Sequence, residues 1–544
     1  MKRNGKRTGA AALVESLERA GVEVVFGYPG GNVVSVFDCL RTARFRFVLG
    51  RHEQGCVHMA DGYARASGRP GVVIVTSGPG LTNTITGLGA ANLDGVPIVL
   101  ICGQVPLEQI GTDAFQEADT TGLTRAVTKH NFLVHSADEI PETVAQAFYI
   151  ATHGKPGPVV IDLPQNIQRE LTLARYPERV SLRAYHPEAA ATTAQVNRLA
   201  KLLNAARRPV VYAGGGVIAA NAAADVAALA HKAGIPVATT LMGIGAFDET
   251  DPLALGMAGV YGVAAANAAL AEADLVLALG VRFNDRVTGP KPSGFAHGRT
   301  IVQVDCDPSS LNKNVTVALG IVADIKDLLT VVDSRVQPNA RSGWRTRIAE
   351  LKRKHPLGYQ PLNRATIMPQ AVVETLAEVA KGDLVLVSDV GQHQMCCAQY
   401  FRRAKPRQFL SSGGMGAMGF AIPAAVGAAV ARPDRKVVAV MGDGGAQMTT
   451  EELMVAVQER LPITFVVVNN RRLGMVRQGH REQLGGEAFA TTITSPDFVR
   501  LAQAYGLRAL RVSKPGLLAE KLKWALGGRK PTLIEVQVDP DAEV

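Results

Sequence analysis

The 544-residue sequence predicts an α/β protein built from three doubly wound domains with mostly parallel sheets. Two facts of composition and one rhythm predict it. Apolar residues make up 47% of the chain and aromatics only 5%, with 55 glycines, the mixture expected when sheets alternate with Ala-rich helices and tight turns. Short apolar runs recur with helix-length segments between them, and strands joined by such crossovers pair in parallel. A chain of this length exceeds one core, and domains of about 150 to 200 residues divide it into three.

The first block, 1–170, starts with the basic run Met1 to Arg7, followed by an amphipathic helix from Ala10 to Ala20. Strands are expected at Val24 to Phe26, Val72 to Thr76, Ile98 to Cys102 and Pro156 to Pro164, each closed by a Gly- or Pro-containing turn. Arg169 to Thr193 is polar and irregular and is read as a linker. The middle block, 190–340, begins at the strand Pro209 to Ala213 and runs to about Val336. Gln337 to Pro369, rich in Arg, Lys and Pro, is read as a second linker. The third block, 366–544, holds strands at Leu384 to Ser388, Val437 to Val440, Ile463 to Val468 and Thr532 to Val538. The first and third blocks match in size and rhythm, as a duplicated fold would.

Charge and cysteine usage exclude several functions. The formal charge of +10 comes from 58 basic residues dispersed among 48 acidic ones, with no long basic run or interleaved aromatics, so nucleic acid is not an expected partner. No apolar run reaches membrane-spanning length, and the basic start leads into an amphipathic helix rather than a secretory core. The six cysteines (Cys39, Cys56, Cys102, Cys306, Cys396, Cys397) show no C-x-x-C pairing, and reduced thiols fit a cytoplasmic protein.

Met441-Gly442-Asp443-Gly444-Gly445 follows one apolar strand, and Asn469-Asn470 follows the next, with Asn470 27 positions after Asp443. Glycines let backbone N–H groups approach phosphate oxygens at a strand's mouth, while Asp443 and the Asn470 amide oxygen are hard ligands of the kind Mg²⁺ prefers. The spacing resembles the thiamine diphosphate signature, in which GDG precedes NN by some 25 to 30 residues.

In the first block Arg51-His52-Glu53-Gln54-Gly55 and Thr76-Ser77-Gly78-Pro79-Gly80-Leu81-Thr82-Asn83 resemble the pyrimidine-binding domain of thiamine enzymes. There the cofactor's 4'-amino group becomes basic only when ring N1' shares a proton with a buried carboxyl, and Glu53 is the matching residue. His52 is read as structural.

The resemblance narrows to the acetohydroxyacid (acetolactate) synthases and covers nearly the whole chain. It is carried by Gly27-Tyr28-Pro29-Gly30-Gly31, Gly103-Gln104-Val105-Pro106, Ile110 to Glu117, Thr128-Lys129-His130-Asn131, Gly391-Gln392-His393-Gln394-Met395 and Gly413 to Gly419. It implies that Gln392, His393 and the amides around Gly391, Gly444 and Gly445 hold the diphosphate. Asp443, Asn470 and Arg472 would hold Mg²⁺. The Gly416 carbonyl would accept from the 4'-amino group, and Met418 would wedge between the rings, beside Tyr28, Pro29, Pro79, Asn83 and Met475. Phe115 and Gln116 would line the substrate side. Met418 and Phe115 also admit ordinary core packing.

In the middle block a glycine turn, Gly214-Gly215-Gly216, follows a strand, and Thr240-Leu241, Arg282, Asn284, Arg286, Asp305 and Asp324 come after it. These resemble the FAD site of the biosynthetic synthases, with the arginines toward a pyrophosphate and Asp305 toward ribose hydroxyls. The resemblance implies a catalytic subunit of branched-chain amino acid biosynthesis, a homodimer or homotetramer that can take a small regulatory subunit. It implies decarboxylation of a 2-keto acid, most simply pyruvate, and transfer of the remaining unit to a second carbonyl compound.

Several positions depart from the family pattern. Gly479 stands where a Trp should follow Gly474-Met475-Val476-Arg477-Gln478, and Asn32 replaces an Ala. Val260-Tyr261 replaces Met-His, and Gly445 replaces a Ser. The family's longer tail is not present after Val544. Cofactor activation is expected to survive these changes, while the lost Trp face and the new Asn amide alter volume and polarity at the acceptor, so a carboligase or acyltransferase with another acceptor, a flavin-reducing oxidase and a catalytically silent paralogous subunit remain as rivals.

Overall fold

The structure is a computed structural model describing residues 5–381, 384–402 and 405–544. Three six-stranded sheets carry it, one per block, and every strand pairing within them is parallel. When the strands of each block are counted in chain order, the first and third sheets both run 2-1-3-4-6-5, and the middle sheet runs 3-2-1-4-5-6. The shared order of the outer sheets shows the duplication that the rhythm suggested. The middle order is that of a dinucleotide-binding doubly wound sheet.

The central strands are the ones the apolar runs foretold: Val24–Gly27, Gly71–Val75, Ile98–Gln104 and Pro158–Pro164 in the first sheet, and Leu384–Ser388, Lys436–Gly442, Thr464–Asn469 and Thr532–Gln537 in the third. Their residues are almost all buried, because helices cover both faces of a parallel sheet. The strands with no such signal, Arg46–Leu49, His130–Leu133, Phe409–Ser411 and Arg508–Val512, are the two edges of each outer sheet.

One expectation is corrected. Gln337 to Pro369 is not a plain linker, because it contains the helix Ser342–Lys354, which buries Trp344, Ile348 and Leu351 at helical spacing against the middle sheet. The Trp344 indole N–H donates to the Pro209 carbonyl at 3.0 Å, tying the helix to the first strand of that sheet.

The outer blocks also pack on each other. Helix Glu53–Ser67 meets helix Ala421–Ala431 so closely that a side chain at Gly62 would strike Ala424 and one at Gly427 would strike Met59, and a single apolar cluster runs through both. Among the described residues no helix is long and apolar enough to cross a membrane. All six cysteines are free, and Cys396 and Cys397 are buried.

Candidate active site

In an open parallel sheet the ligand crevice opens where strand order reverses, beyond the carboxyl ends of the two strands flanking that point. In the third block those strands are Leu384–Ser388 and Lys436–Gly442. They deliver the turn Asp389 to His393 and the turn Asp443 to Gly445 to one edge. The next strand, Thr464–Asn469, pairs with Lys436–Gly442 in a register that sets Val468 beside Gly442, so Asp443 and Asn470 leave adjacent strands together.

Asp443 is 1% exposed. Its Oδ2 accepts from the Ser495 hydroxyl at 2.6 Å, while its Oδ1 is buried without a partner. Burial raises its pKa above the usual carboxylate range. A buried carboxylate with an unpaired oxygen calls for a cation, and Mg²⁺ accepts carboxylate, amide and carbonyl oxygens. The residues present therefore fit Mg²⁺. Asn470 Oδ1 accepts from the Arg472 N–H at 3.0 Å, which closes the loop that carries two of the three predicted ligands, Asp443 being the third. Ser495 was not foreseen, because nothing in its sequence surroundings marks it.

His393 stands between the two turns, and its Nε2 is buried without a partner. Burial pulls its pKa down to about 4, so at neutral pH it is an uncharged imidazole able to donate one N–H to a phosphate oxygen. Gln392 is differently engaged. Its side-chain N–H groups donate to Gln478 Oε1 and the Ala542 carbonyl, both at 3.0 Å, which leaves the backbone N–H at its helix start for an anion. Gly391 (φ 151°) needs glycine, since the His393 ring leaves a side chain there only 2.8 Å. At Gly445 a Cβ would lie 2.6 Å from Asp389 Oδ1, a physical reason for glycine where the family has serine. Met418 is half-buried, with its methyl 3.4 Å from where a Gly444 Cβ would stand, so it lies over the Asp443 turn. Gly416 (φ 65°) occupies the left-handed region beside it.

The first block repeats the geometry. Its flanking strands deliver Tyr28, Pro29 and Gly30 after Val24–Gly27, and Ser77, Gly78, Pro79 and Gly80 after Gly71–Val75. Glu53, 9% exposed, starts the helix Glu53–Ser67, and its Oε2 accepts from Asn83 Nδ2 at 2.9 Å. His52 is structural, since its Nδ1 caps that helix by accepting from the Gln54 N–H at 3.2 Å. Asn32 donates to the Ser77 hydroxyl at 2.6 Å. Gln116 holds a left-handed φ of 62° against Gly78, a strained conformation for this residue type. Phe115 is 87% exposed, which removes its core-packing reading.

A cavity of about 630 Å³ joins the middle block to the other two, within the size range of cofactor sites. Gly215, Gly216, Thr240, Leu241, Arg282, Asn284, Arg286, Asp305 and Asp324 line it, as do Gly391, Gly416 and Met475 of the third block. It opens at the middle sheet's own reversal point, between Pro209–Ala213 and Leu275–Leu279. Gly214 is not on its wall, because that residue packs against the Gly280 backbone. Arg282 donates to the Leu93 carbonyl, Arg286 lies 5.9 Å from the Tyr261 ring centroid, and Asp305 accepts from the Asp307 N–H at 2.9 Å. Asp324 caps the helix Ile325–Asp333. Glycine turn, arginines, buried acid and volume fit a dinucleotide such as FAD. Glu53, Phe115, Gln116 and Asp443 do not line this cavity.

Comparison with known proteins meets the same three blocks. The thiamine pyrophosphate enzyme N-terminal TPP binding domain matches residues 7–123, the central domain 196–332 and the C-terminal TPP binding domain 389–536. The chain is 44% identical over 550 residues to an acetolactate synthase of Mycobacterium bovis, covering 99% of this chain and 89% of that protein. It is 43% identical over 551 residues to the acetolactate synthase isozyme 3 large subunit of Escherichia coli, covering 99% and 96%. To a probable acetolactate synthase large subunit of Methanocaldococcus jannaschii it is 43% identical over 546 residues, covering 98% and 92%.

Proposed function

We infer the reaction from one premise: the chain belongs to the thiamine pyrophosphate enzymes, and within them to the acetolactate synthases. It is a thiamine diphosphate-dependent enzyme that decarboxylates pyruvate and forms a C–C bond with a second carbonyl compound, acetolactate being the leading product. The observation that carries this is the intact trio Glu53, Asp443 and Asn470, set at the equivalent reversal points of two duplicated sheets. When bound, thiamine diphosphate supplies a carbon nucleophile and an electron sink for the loss of CO₂.

The chain's residues prepare that chemistry. Asp443, Asn470 and the Arg472 carbonyl would hold Mg²⁺ against the diphosphate, with His393 donating to a phosphate oxygen. Glu53, steadied by Asn83, would hold a proton at ring N1'. Met418, over the Asp443 turn, and Met475, on the middle cavity, would supply apolar surface that excludes water and disfavours a substrate's charged carboxylate more than the charge-dispersed transition state. FAD in the middle cavity would have an architectural role.

Glu53 and Asp443 sit on different half-sites of the chain, and among its most exposed large apolar side chains are Phe115 at 87%, next to the Gln116 that meets Gly78, and Leu484 at 77% and Phe489 at 91%, in the segment that precedes Ser495. Apolar surface of that kind supports a homodimer or homotetramer in which one copy's first block completes another's third. The designation "large subunit" of the Escherichia coli and Methanocaldococcus jannaschii relatives supports a smaller regulatory partner. Six free cysteines support the cytoplasm. One observation favours an acceptor other than pyruvate: nothing lies within 4 Å of a side chain placed at Gly479. Purified protein incubated with pyruvate, alone and with larger carbonyl acceptors, should release CO₂ and give acetolactate by mass. A protein that binds thiamine diphosphate yet releases no CO₂ would leave the silent-subunit reading.

A further inference from the structure

Glu452 is a fully buried acid beside the first half-site, and it comes from the third block. It is 0% exposed at the start of the helix Leu453–Gln458, and it reaches across the interblock contact to the loop in front of Glu53. Its Oε1 accepts from the His52 N–H at 3.0 Å and the Arg51 N–H at 3.2 Å, and its Oε2 also lies 3.2 Å from the Arg51 N–H. These amides immediately precede Glu53 and would otherwise be left in a dry interface.

Gly55 opens the path for this contact, since a side chain there would strike the Glu452 carboxylate. The acid's own support is firm: the Glu452 N–H donates to the Thr449 carbonyl at 3.2 Å, and the Thr449 hydroxyl donates to the Gly419 carbonyl at 2.9 Å, on the strip that bears Met418. Glu53 is held on its far side by Asn83. Its direction is thus set by one side-chain bond and by the backbone that Glu452 fixes.

We propose that Glu452 is a positioning residue, which holds the Arg51–His52 backbone so that the Glu53 carboxyl is presented at the right depth and angle to ring N1'. The inference rests on Glu53's role in the function proposed above. Burial lifts the Glu452 pKa to about 8, and a protonated carboxyl keeps the acceptor oxygen that the two amides need, so the device does not depend on its charge. An amide oxygen is then an adequate substitute. Alanine is not.

Three variants test this in the full-length protein. Glu452→Ala should speed amide hydrogen exchange at Arg51 and His52 by at least about tenfold without cofactor present, and should slow C2–H exchange of bound thiamine diphosphate by about ten- to a hundredfold, the order expected when a catalytic group is misplaced by about 1 Å. Glu452→Gln should restore both rates to within about threefold of the parent. Gly55→Ala, which pushes the carboxylate off its amides, should behave as the alanine variant does, and it decides the matter if Glu452→Ala does not fold. Parental exchange at both sites in folded Glu452→Ala or Gly55→Ala overturns the proposal. So does a glutamine variant as slow as alanine, which would make the charge the agent. Glu53→Gln runs alongside: if it also exchanges at the parental rate, the reading of Glu53 itself fails, whereas slow Glu53→Gln beside fast Glu452→Ala removes only this inference.

Discussion

Replacing Gly479 by Trp isolates what this chain does differently from its family. Gly479 lies in the helix Gly474–Leu484, one turn beyond the cavity-lining Met475, so both share a face. Nothing occupies the 4 Å around a side chain there, and an indole can be added without collision at its root. It would add a wall of about 150 to 250 Å². 2-Ketobutyrate exceeds pyruvate by one methylene, worth about 0.8 kcal/mol by buried area and about 1 to 3 kcal/mol in a fitted pocket. At about 1.4 kcal/mol per factor of ten, Gly479→Trp should raise the preference for 2-ketobutyrate over pyruvate by about tenfold, and bulkier acceptors should be shut out. The assay is competition between the two keto acids at equal concentration, read as a product ratio by mass. Gly479→Ala is the control, since it gains about 1 kcal/mol of helix stability without building a wall, and its product ratio should stay parental. Identical ratios for glycine, alanine and tryptophan would mean that position 479 does not face the acceptor, and the argument for an altered acceptor would lose its basis.

Glu53→Gln should bind thiamine diphosphate but exchange C2–H orders of magnitude more slowly by NMR, because an amide cannot complete the N1' relay. Mixing inactive Glu53→Gln with inactive Asp443→Ala should restore part of the activity after demonstrated subunit exchange, and none is expected if each chain builds its own site. Arg282→Ala should weaken FAD uptake, followed by flavin fluorescence, by about 1.5 to 3 kcal/mol for a lost charge-assisted bond; unchanged uptake would take Arg282 off the nucleotide. Acid stability provides a further test: His393 and His58 are both buried and titrate at about 4 rather than 6.5. Their contribution is complete above 6.5 and is lost as pH falls toward 4, because the unfolded chain takes up protons that the native chain refuses. A gap of about 2.5 pH units at about 1.4 kcal/mol each makes roughly 3 kcal/mol per histidine. His393→Gln should therefore flatten the loss of unfolding free energy between pH 6.5 and 4 by about that amount, and an unchanged slope would mean that His393 is not buried neutral.

What the sequence revealed and what it hid follow from where each strand lies. The runs at Val24, Val72, Ile98 and Pro156, and their counterparts in the third block, belong to strands covered on both faces, which read as continuous apolar stretches. The outer-sheet strands without that signal are Arg46–Leu49, His130–Leu133, Phe409–Ser411 and Arg508–Val512, all at sheet edges, and three of the four keep partly exposed residues that interrupt the pattern. Ser342–Lys354 was hidden for a related reason. Its basic face masked the spacing of Trp344, Ile348 and Leu351, which only the folded middle sheet makes into a core stripe.

The site divides along a different line. Glycine turns and hard ligands are local in sequence, so the spacing of Asp443 and Asn470 and a glycine turn after Pro209–Ala213 are legible there, whereas Gly391 rests on the family resemblance and Gly214 lies off the cavity wall. Ser495 and Glu452 are not legible there, because each acts on a residue tens or hundreds of positions away, Ser495 on Asp443 and Glu452 on the loop at Arg51 and His52. That distinction bears on assembly. Within the chain, Glu53 meets Asn83 and the backbone held by Glu452, while Met418 and Met475 lie with the Asp443 turn and the middle cavity. The contact that joins the two outer blocks is a glycine-lined helix crossing, with no cleft at Glu53 that the described cavity reaches. On the proposed reading, each of the two reversal points offers half of a site. Two such chains related by a twofold axis would supply one activating carboxyl to each metal turn, and the exposed Phe115, Leu484 and Phe489 would be the apolar surface that the pairing buries.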